Sequence, residues 1–240
     1  MTFLVKTIFF GSVALLCLSA HATAATLQAD VTRTVLANGT VIANDGSGNL
    51  VPSTAPLGIA GPTNTNTFQY AIRERAAAQQ ASQQDRAGYS FFKFDISSLS
   101  PAATAPEFSA IFSIDYVGHL NNLNAWNVDL GQVNGAWDAS GTNDPTRALS
   151  QGSTFLGNLV TGVQGEPNAI NGIEVDITTL VQGWVDGSIE NNGLTFTGGL
   201  VPQAAYFNNA TITTSAVPEP SSASLLVLAI GGVVIRRKRR

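Results

Sequence analysis

GIEVDITTL at residues 172–180 and FFKFDISSL at residues 91–99 are the two stretches that decide the predicted fold. Each is a strand-like run that ends in aspartate, isoleucine, two hydroxyl residues and leucine. Asp95 and Asp176 stand where a carboxylate, or the hydroxyl that follows, can cap the free N–H groups opening a helical turn. We therefore predict two strands that each run into a capped turn. A catalytic carboxylate pair is the alternative role for these two residues, and capping explains both without it.

The turn after residue 176 is predicted to extend into a helix. One helix face is formed, at the spacing i, i+3, i+4 and i+7, by Ile177, Leu180, Val181 and Trp184. Gly187 suits the C-terminus of this helix, and Asn192-Gly193 is a turn signal before a strand at residues 194–197. Trp184 is therefore expected in the core.

Further strands are predicted from alternation and turn residues. They lie at residues 31–36, 40–43 (after an Asn38-Gly39 turn), 89–96, 110–116 and 124–130. Residues 44–49 form a polar loop that plain turn chemistry explains better than a calcium loop, because the spacing and glutamate of an EF-hand are missing. Residues 52–67 are predicted to be a long loop. Residues 73–87 lack an apolar stripe, so we expect an exposed insertion or helical turn.

The two ends of the chain carry targeting patterns. At the N-terminus, Lys6 precedes an apolar run at residues 7–18, and small residues at 20–25 predict cleavage after Ala22, Ala24 or Ala25. At the C-terminus, a proline-rich break at Val217, Pro218, Glu219 and Pro220 precedes an apolar run at residues 225–235 and then five cations, Arg236, Arg237, Lys238, Arg239 and Arg240. As a helix, residues 223–235 would span about 20 Å of a hydrocarbon core about 30 Å thick, and the cations fix this end on the cytoplasmic side.

This three-part tail resembles the PEP-CTERM sorting signal of Gram-negative bacteria, which is also labelled as the C-terminal domain of ice-binding proteins. The resemblance implies recognition by an exosortase, a membrane cysteine protease thought to cut near the Pro-Glu-Pro, and delivery to the cell surface. An ordinary C-terminal membrane anchor is the alternative. Whether the tail is cleaved or retained stays open.

Composition limits what the body between the two signals can do. It has six cationic and 15 acidic side chains, a net charge of −9, which disfavours nucleic acid because phosphates attract Lys and Arg. Cys17, the only cysteine, leaves with the signal peptide, so neither a disulfide nor a cysteine nucleophile is expected. His119 is the only histidine left after cleavage, and we place it in a surface turn at residues 118–122. We predict no catalytic residue, no metal site and no cofactor, although two acids acting as a glycosidase pair leave no local motif.

Trp137, Asp138, Asn143 and Asp144 are the candidate binding residues. Aromatic faces stack on sugar rings while carboxylates and amides bind hydroxyls, so this loop could form a glycan site. The alternative is that Trp126, Trp137 and Trp184 all pack in the core.

A second resemblance concerns the body. The strand end at residues 92–99, Trp137-Asp138 with Thr142 and Pro145, and the run from Val175 to Leu194 resemble the DNRLRE-type module of secreted bacterial and archaeal surface proteins. Asp138 stands where that family usually has glutamate. The resemblance implies a jelly-roll-like sandwich, and some members of the family are treated as carbohydrate-binding.

Together these observations predict an all-β protein, an antiparallel jelly-roll-like β-sandwich with one short helix, flanked by an N-terminal signal helix and a C-terminal transmembrane helix. The predicted division is a signal peptide at 1–25, a body at 26–215 and a sorting segment at 216–240. The predicted function is that of an exported, non-catalytic cell-surface or extracellular matrix protein that meets an exosortase and the membrane during sorting. A carbohydrate-binding module for exopolysaccharide is the alternative, and a glycan-active enzyme ranks third.

Overall fold

The computed structural model describes most of the body between the two predicted signals. The described residues are 24–42, 50, 68–74, 81–82, 84, 87–99, 103, 106–119, 126–162, 169–198 and 204–215. Nearly all of the predicted signal peptide, the sorting segment at 216–240 and the predicted loops at 44–49 and 52–67 lie outside them. The described elements are β1 (Thr26–Leu36), β2 (Val41–Ile42), β3 (Tyr70–Arg73), β4 (Gly88–Phe94), β5 (Ala110–His119), β6 (Trp126–Gln132), α1 (Arg147–Gln151), β7 (Thr154–Gly162), β8 (Ile170–Asp176), α2 (Thr178–Asp186), β9 (Leu194–Thr197) and β10 (Ala205–Thr214).

Every strand pairing among the described residues is antiparallel. The ten strands form one continuous sheet. We call two groups of paired strands within it the two layers, with β8, β5 and β10 in one and β1, β4, β9, β6 and β7 in the other. With only two short helices beside these strands in the described residues, the prediction of an all-β antiparallel protein is confirmed. Helix α1 was not predicted, because five residues are too short to show an apolar stripe.

Two strands join the layers. Residues 26–28 of β1 pair with β10, and from Ala29 onward β1 pairs with β4. The register of β1 against β4 shifts between Ala29 and Val31, directly after this change of partner. Strand β3 likewise pairs with both β10 and β4. A bulge bends and twists a strand locally, which lets one strand leave one layer for the other. The sheet is therefore continuous around these two junctions.

Aromatic side chains fill the space between the layers. Phe92 on β4 stacks on Phe112 of β5 with ring centroids 5.8 Å apart, and Phe196 on β9 meets Phe207 of β10 at 4.6 Å. All four side chains are fully buried. Burying each phenylalanine contributes about 1.5–3 kcal/mol, so this core can stabilise the body without a disulfide.

The local patterns of the sequence predict several elements correctly. Strand β5 buries Ala110, Phe112, Ile114 and Tyr116 in alternation, and β9 occupies residues 194–197. Helix α2 buries the predicted face from Ile177 to Trp184, and Gly187 ends it in the left-handed conformation at φ 77°.

The prediction for residues 73–87 is wrong at its start. Arg73 ends β3 and is buried, and Glu74 beside it is buried as well. The Tyr89 hydroxyl donates to Glu74 Oε2 at 2.6 Å, while Arg147 donates to Tyr89 Oη at 2.8 Å and to Glu74 Oε1 at 2.8 Å. Charges that look exposed in the sequence are paired here by side chains distant along the chain. This network ties β3 and β4 to α1.

The first and last strands lie side by side. Thr26 pairs with Thr213, and the Thr214 N–H donates to the Ala25 carbonyl oxygen at 2.8 Å. Residues 25 and 214 therefore emerge at the same edge of the body.

Two glycines with the same φ predict how much the Asn192-Gly193 turn contributes to stability. Gly187 and Gly193 both have φ 77°, but a Cβ at 187 meets nothing within 4 Å, whereas a Cβ at 193 would overlap the Phe92 carbonyl oxygen. We expect Gly187→Ala to lower the free energy of unfolding by about 1 kcal/mol and Gly193→Ala by about 3 kcal/mol, measured by urea denaturation. Equal losses in the two variants would contradict the close approach of Gly193 to β4.

Candidate functional site

The loop predicted to bind glycans packs its tryptophan into the core. Trp137 is 2 % exposed, its ring contacts Phe91 at 5.8 Å between centroids, and Nε1 donates to the Asn192 carbonyl oxygen at 2.7 Å. The Lys93 ammonium lies 4.8 Å from the ring centroid and donates to the Trp137 carbonyl oxygen. Because Phe91 and Lys93 pack on the ring and the polar edge is bonded, the structure offers no face of Trp137 to a sugar. Of the two expectations for Trp137, the structure shows core packing.

The polar residues of this loop bind one another and the body. The Asp138 N–H donates to the Asn143 carbonyl oxygen at 2.9 Å, and Asn143 Nδ2 donates to the Ala136 carbonyl oxygen at 3.0 Å. Ser140 donates to Asp138 Oδ1, which lowers the pKa of that carboxyl. Asp144 forms an ion pair with Arg33 Nε at 2.6 Å. The structure thus brings Asp138 and Asn143 together to close the loop and uses Asp144 to fasten it to β1.

The two aspartates of the repeated segments each accept the backbone N–H two residues on, although the N-cap position of α2 is Ile177, which has no side-chain cap hydrogen bond. Asp95 Oδ1 accepts the Ser97 N–H at 2.8 Å, and Asp176 Oδ1 accepts the Thr178 N–H, the first of α2, at 2.9 Å. Hydrogen bonds from Ser97 and Thr178 lower the pKa of each carboxyl. A glycosidase acid needs the opposite, a raised pKa, so the geometry favours the structural role.

His119 lies in a strand and not in the predicted surface turn. It is the last residue of β5 and half-buried, and its ring packs against Trp126 with centroids 5.5 Å apart. Its Nδ1 is 2.6 Å from the Tyr116 hydroxyl oxygen, and burial lowers the pKa of the imidazole. The observed partner of this ring nitrogen is thus a tyrosine, whereas a Ser–His–Asp triad would place a carboxylate there.

The outer face of β6, β7 and β9 presents a group of polar side chains that the sequence analysis missed. Val128 and Leu130 of β6 point into the core, so Asn127 and Asp129 point outward. Residues directly opposite each other on paired strands share a face. The strand register therefore adds residues to this face from β7 and β9. We call the resulting set the outer platform, and it consists of Asn127, Asp129, Phe155, Asn158, Thr161 and Thr197.

The polar members of the outer platform form a connected row. Both oxygens of Asp129 accept hydrogen bonds, Oδ2 from Asn127 Nδ2 at 2.7 Å and Oδ1 from Asn158 Nδ2 at 2.9 Å. Thr161 Oγ1 then donates to Asn158 Oδ1 at 3.1 Å. These bonds fix the orientation of exposed or half-buried side chains that would otherwise sample several rotamers.

Phe155 ends the outer platform and is 62 % exposed. It lies opposite Gly131, whose side-chain position is occupied by Ser153 of the α1–β7 connection. The only signal in the sequence was the polar alternation of Asn127 and Asp129 around Val128. The position of Phe155 on the outer face follows only from the register of β7, which shifts twice against β6.

Within the described part of the chain, no group of three or more His, Cys, Asp or Glu side chains is placed to hold a metal ion. No helix in that part is long and apolar enough to span a bilayer. Comparison with protein-family models and with curated proteins gives no match. The two family resemblances stated above therefore remain predictions.

The hydrogen bond from the Trp137 indole predicts a loss of stability on its removal. Trp137→Phe leaves the buried Asn192 carbonyl oxygen without this donor, so we expect the free energy of unfolding to fall by about 2–3 kcal/mol. Trp184→Phe is the matched control, because Trp184 is 5 % exposed and its Nε1 has no hydrogen-bond partner among the described residues. The free energy of unfolding, measured by urea denaturation, should fall less in Trp184→Phe than in Trp137→Phe. A larger loss in the control would show that the indole bond contributes little.

The lowered pKa of Asp176 predicts a pH dependence. The folded state keeps this carboxyl ionised below its ordinary pKa of 3.8, so its contribution to stability is complete above about pH 4 and is lost as the pH falls further. Asp176→Asn keeps an oxygen that can accept the Thr178 N–H and removes the titration. We expect the variant to lose less stability than the wild type between pH 4 and pH 2, followed by thermal unfolding. Superimposable pH profiles would contradict the capping role, and Asp95→Asn provides an independent repeat.

Proposed function

We propose that this chain is an exported, non-catalytic protein of the cell surface or extracellular matrix, sorted through a PEP-CTERM and exosortase system. Residues 1–25 direct export and are removed, and residues 26–215 form the working body. Residues 216–240 carry the sorting signal, with the motif at Val217, Pro218, Glu219 and Pro220 and a transmembrane helix followed by the cationic end. Exosortase and the membrane are its partners during sorting.

The pairing of the two ends of the body is the observation that carries this proposal. Strand β1 begins at Thr26 and β10 ends at Thr214, and these strands pair with each other. Removing residues before 26 or after 215 therefore deletes no residue of a described strand. Both targeting segments would leave from the same edge, which supports a body that folds independently of its address signals.

We further propose that the two layers form a jelly-roll-like sandwich. The shared strands β1 and β3, the antiparallel pairing and the aromatic contacts between layers support it. The described body accounts for these features without either terminal helix.

A carbohydrate-binding module is the second candidate, and the outer platform favours it. An exposed phenylalanine ring at the end of an ordered row of amide, carboxylate and hydroxyl groups is suited to sugars, which combine apolar ring faces with hydroxyls. A glycan array that includes acidic and neutral polysaccharides tests this candidate, and no binding would end it. A glycan-active enzyme stays third, because it requires a turnover that substitution of a carboxylate abolishes.

Replacing the sorting motif tests the main proposal. Pro218→Ala, Glu219→Ala and Pro220→Ala are combined in the full-length chain and expressed in a bacterium that has an exosortase. We expect the variant to be exported but retained in the inner membrane, because the apolar run and cations remain while the recognised motif is lost. Fractionation and protease accessibility at the cell surface measure the outcome.

The matched control changes the two residues that follow the motif, Ser221→Ala and Ser222→Ala. It should reach the surface like the unaltered chain. Equal surface delivery of the motif variant would refute sorting through this motif, and retention of both variants would show that the motif is not what is recognised.

A further inference from the structure

We propose that the outer platform is the binding site of a neutral polysaccharide, with Phe155 stacking on a sugar ring and the row centred on Asp129 binding hydroxyl groups along the chain. This inference rests on the carbohydrate-binding candidate function and assigns it a site, a ligand class and a direction.

Phe155 has no role in the described core. The other large aromatic side chains of the described strands are buried, whereas Phe155 is 62 % exposed. Its position in the pairing with Gly131 places it on the same face as Asp129, one outward row along β6. A flat apolar ring in this setting offers a stacking surface next to hydrogen-bonding groups.

The polar row is ordered before any ligand binds. Asp129 holds Asn127 and Asn158 through its two oxygens, and Asn158 accepts from Thr161. Each carboxamide has two N–H donors and an acceptor oxygen, and the Thr161 hydroxyl oxygen can also accept. Asn127 uses one amide N–H on Asp129, so the row retains capacity for sugar hydroxyls. A pre-oriented row loses little rotamer entropy on binding.

The spacing of the rows sets the shape of the ligand. Outward positions on a strand recur every two residues, about 7 Å, so the rows of Gly131, Asp129 and Asn127 cover about 14 Å along β6. Phe155 stands at the first row, Asn158 at the second and Thr161 at the third. This arrangement fits an extended chain of sugars lying along the strand better than a single compact sugar.

Charge decides between neutral and acidic polysaccharides. Asp129 is the only ionisable side chain of the outer platform, and it would repel an anionic ligand. Three cations of the body, Arg33, Lys93 and Arg147, are engaged by Asp144, Trp137 and Glu74. The body charge of −9 also disfavours an acidic polysaccharide, and the residues of the outer platform include no cation that would attract one.

The experiment compares variants of the full-length exported protein, purified as the host processes it. Affinity electrophoresis in gels that contain a soluble β-glucan, a xylan, a dextran or anionic alginate measures binding. Phe155→Ala and Asn158→Ala remove the ring and the amide. Their matched controls are Ile170→Ala, the other large apolar side chain exposed among the described residues, and Asn171→Ala, an exposed amide on β8. Thermal unfolding confirms that each variant is folded.

We expect at least one neutral polysaccharide to retard the unaltered protein, and Phe155→Ala and Asn158→Ala to weaken that binding about tenfold while the controls leave it unchanged. Binding that neither variant weakens would overturn the site but leave the carbohydrate-binding candidate standing. Binding to alginate alone would overturn the ligand class. No binding to any probe would refute both, while the surface function tested by sorting remains.

The same samples test the alternative that the outer platform binds a second copy of the chain. Light scattering after size exclusion should give the same oligomeric state for the unaltered protein and Phe155→Ala. A change to a smaller assembly in Phe155→Ala would assign the platform to self-association and overturn the proposal.

Discussion

The described body depends on strand β1, which belongs to both layers of the sheet. Its first three residues pair with β10 and the residues from Ala29 onward pair with β4, with a register shift between Ala29 and Val31 just after the change of partner. The two layers therefore cannot separate at β1 without breaking the hydrogen bonds of β1 to either β10 or β4. The aromatic contacts between β4 and β5 and between β9 and β10 then fill the interior that the crossing encloses. The only cysteine of the chain lies in the predicted signal peptide, so the body has no disulfide. The shared strand and the aromatic core therefore stabilise it instead.

The crossing of β1 also determines where the two proposed functional regions lie. Because β1 starts beside the end of β10, the described body has both of its ends at one edge, and the two proposed targeting segments can be attached there without interrupting a strand. The outer face of β6, β7 and β9 lies elsewhere in the sheet, on strands that pair neither with β1 nor with β10 in the described residues. The proposed attachment of targeting segments and the proposed binding of a polysaccharide thus fall on different parts of the sheet.

The sequence predicted the elements that local rules govern. Alternation in β5, the apolar face of α2, Gly187 and the Asn192-Gly193 turn follow from steric and periodic constraints within a few residues. The sequence could not predict the fate of Glu74, because its burial depends on Tyr89 and on Arg147, 73 residues away. Trp137 presents the same difficulty, since its partner Asn192 is 55 residues away. The outer platform depends on the register shifts between β6 and β7, which no local pattern encodes.

The most direct test of this architecture is whether the first and last strands are neighbours in solution. Thr26 and Thr213 are exposed and directly paired, and the Cα atoms of antiparallel pairs lie about 4.5–5.5 Å apart, within the range that a disulfide requires. Thr26→Cys combined with Thr213→Cys should oxidise to an intramolecular disulfide in the monomer, seen by mass spectrometry of the unreduced peptides after proteolysis. Two thiols that stay free, or that link different molecules, would contradict the joined ends and the shared strand.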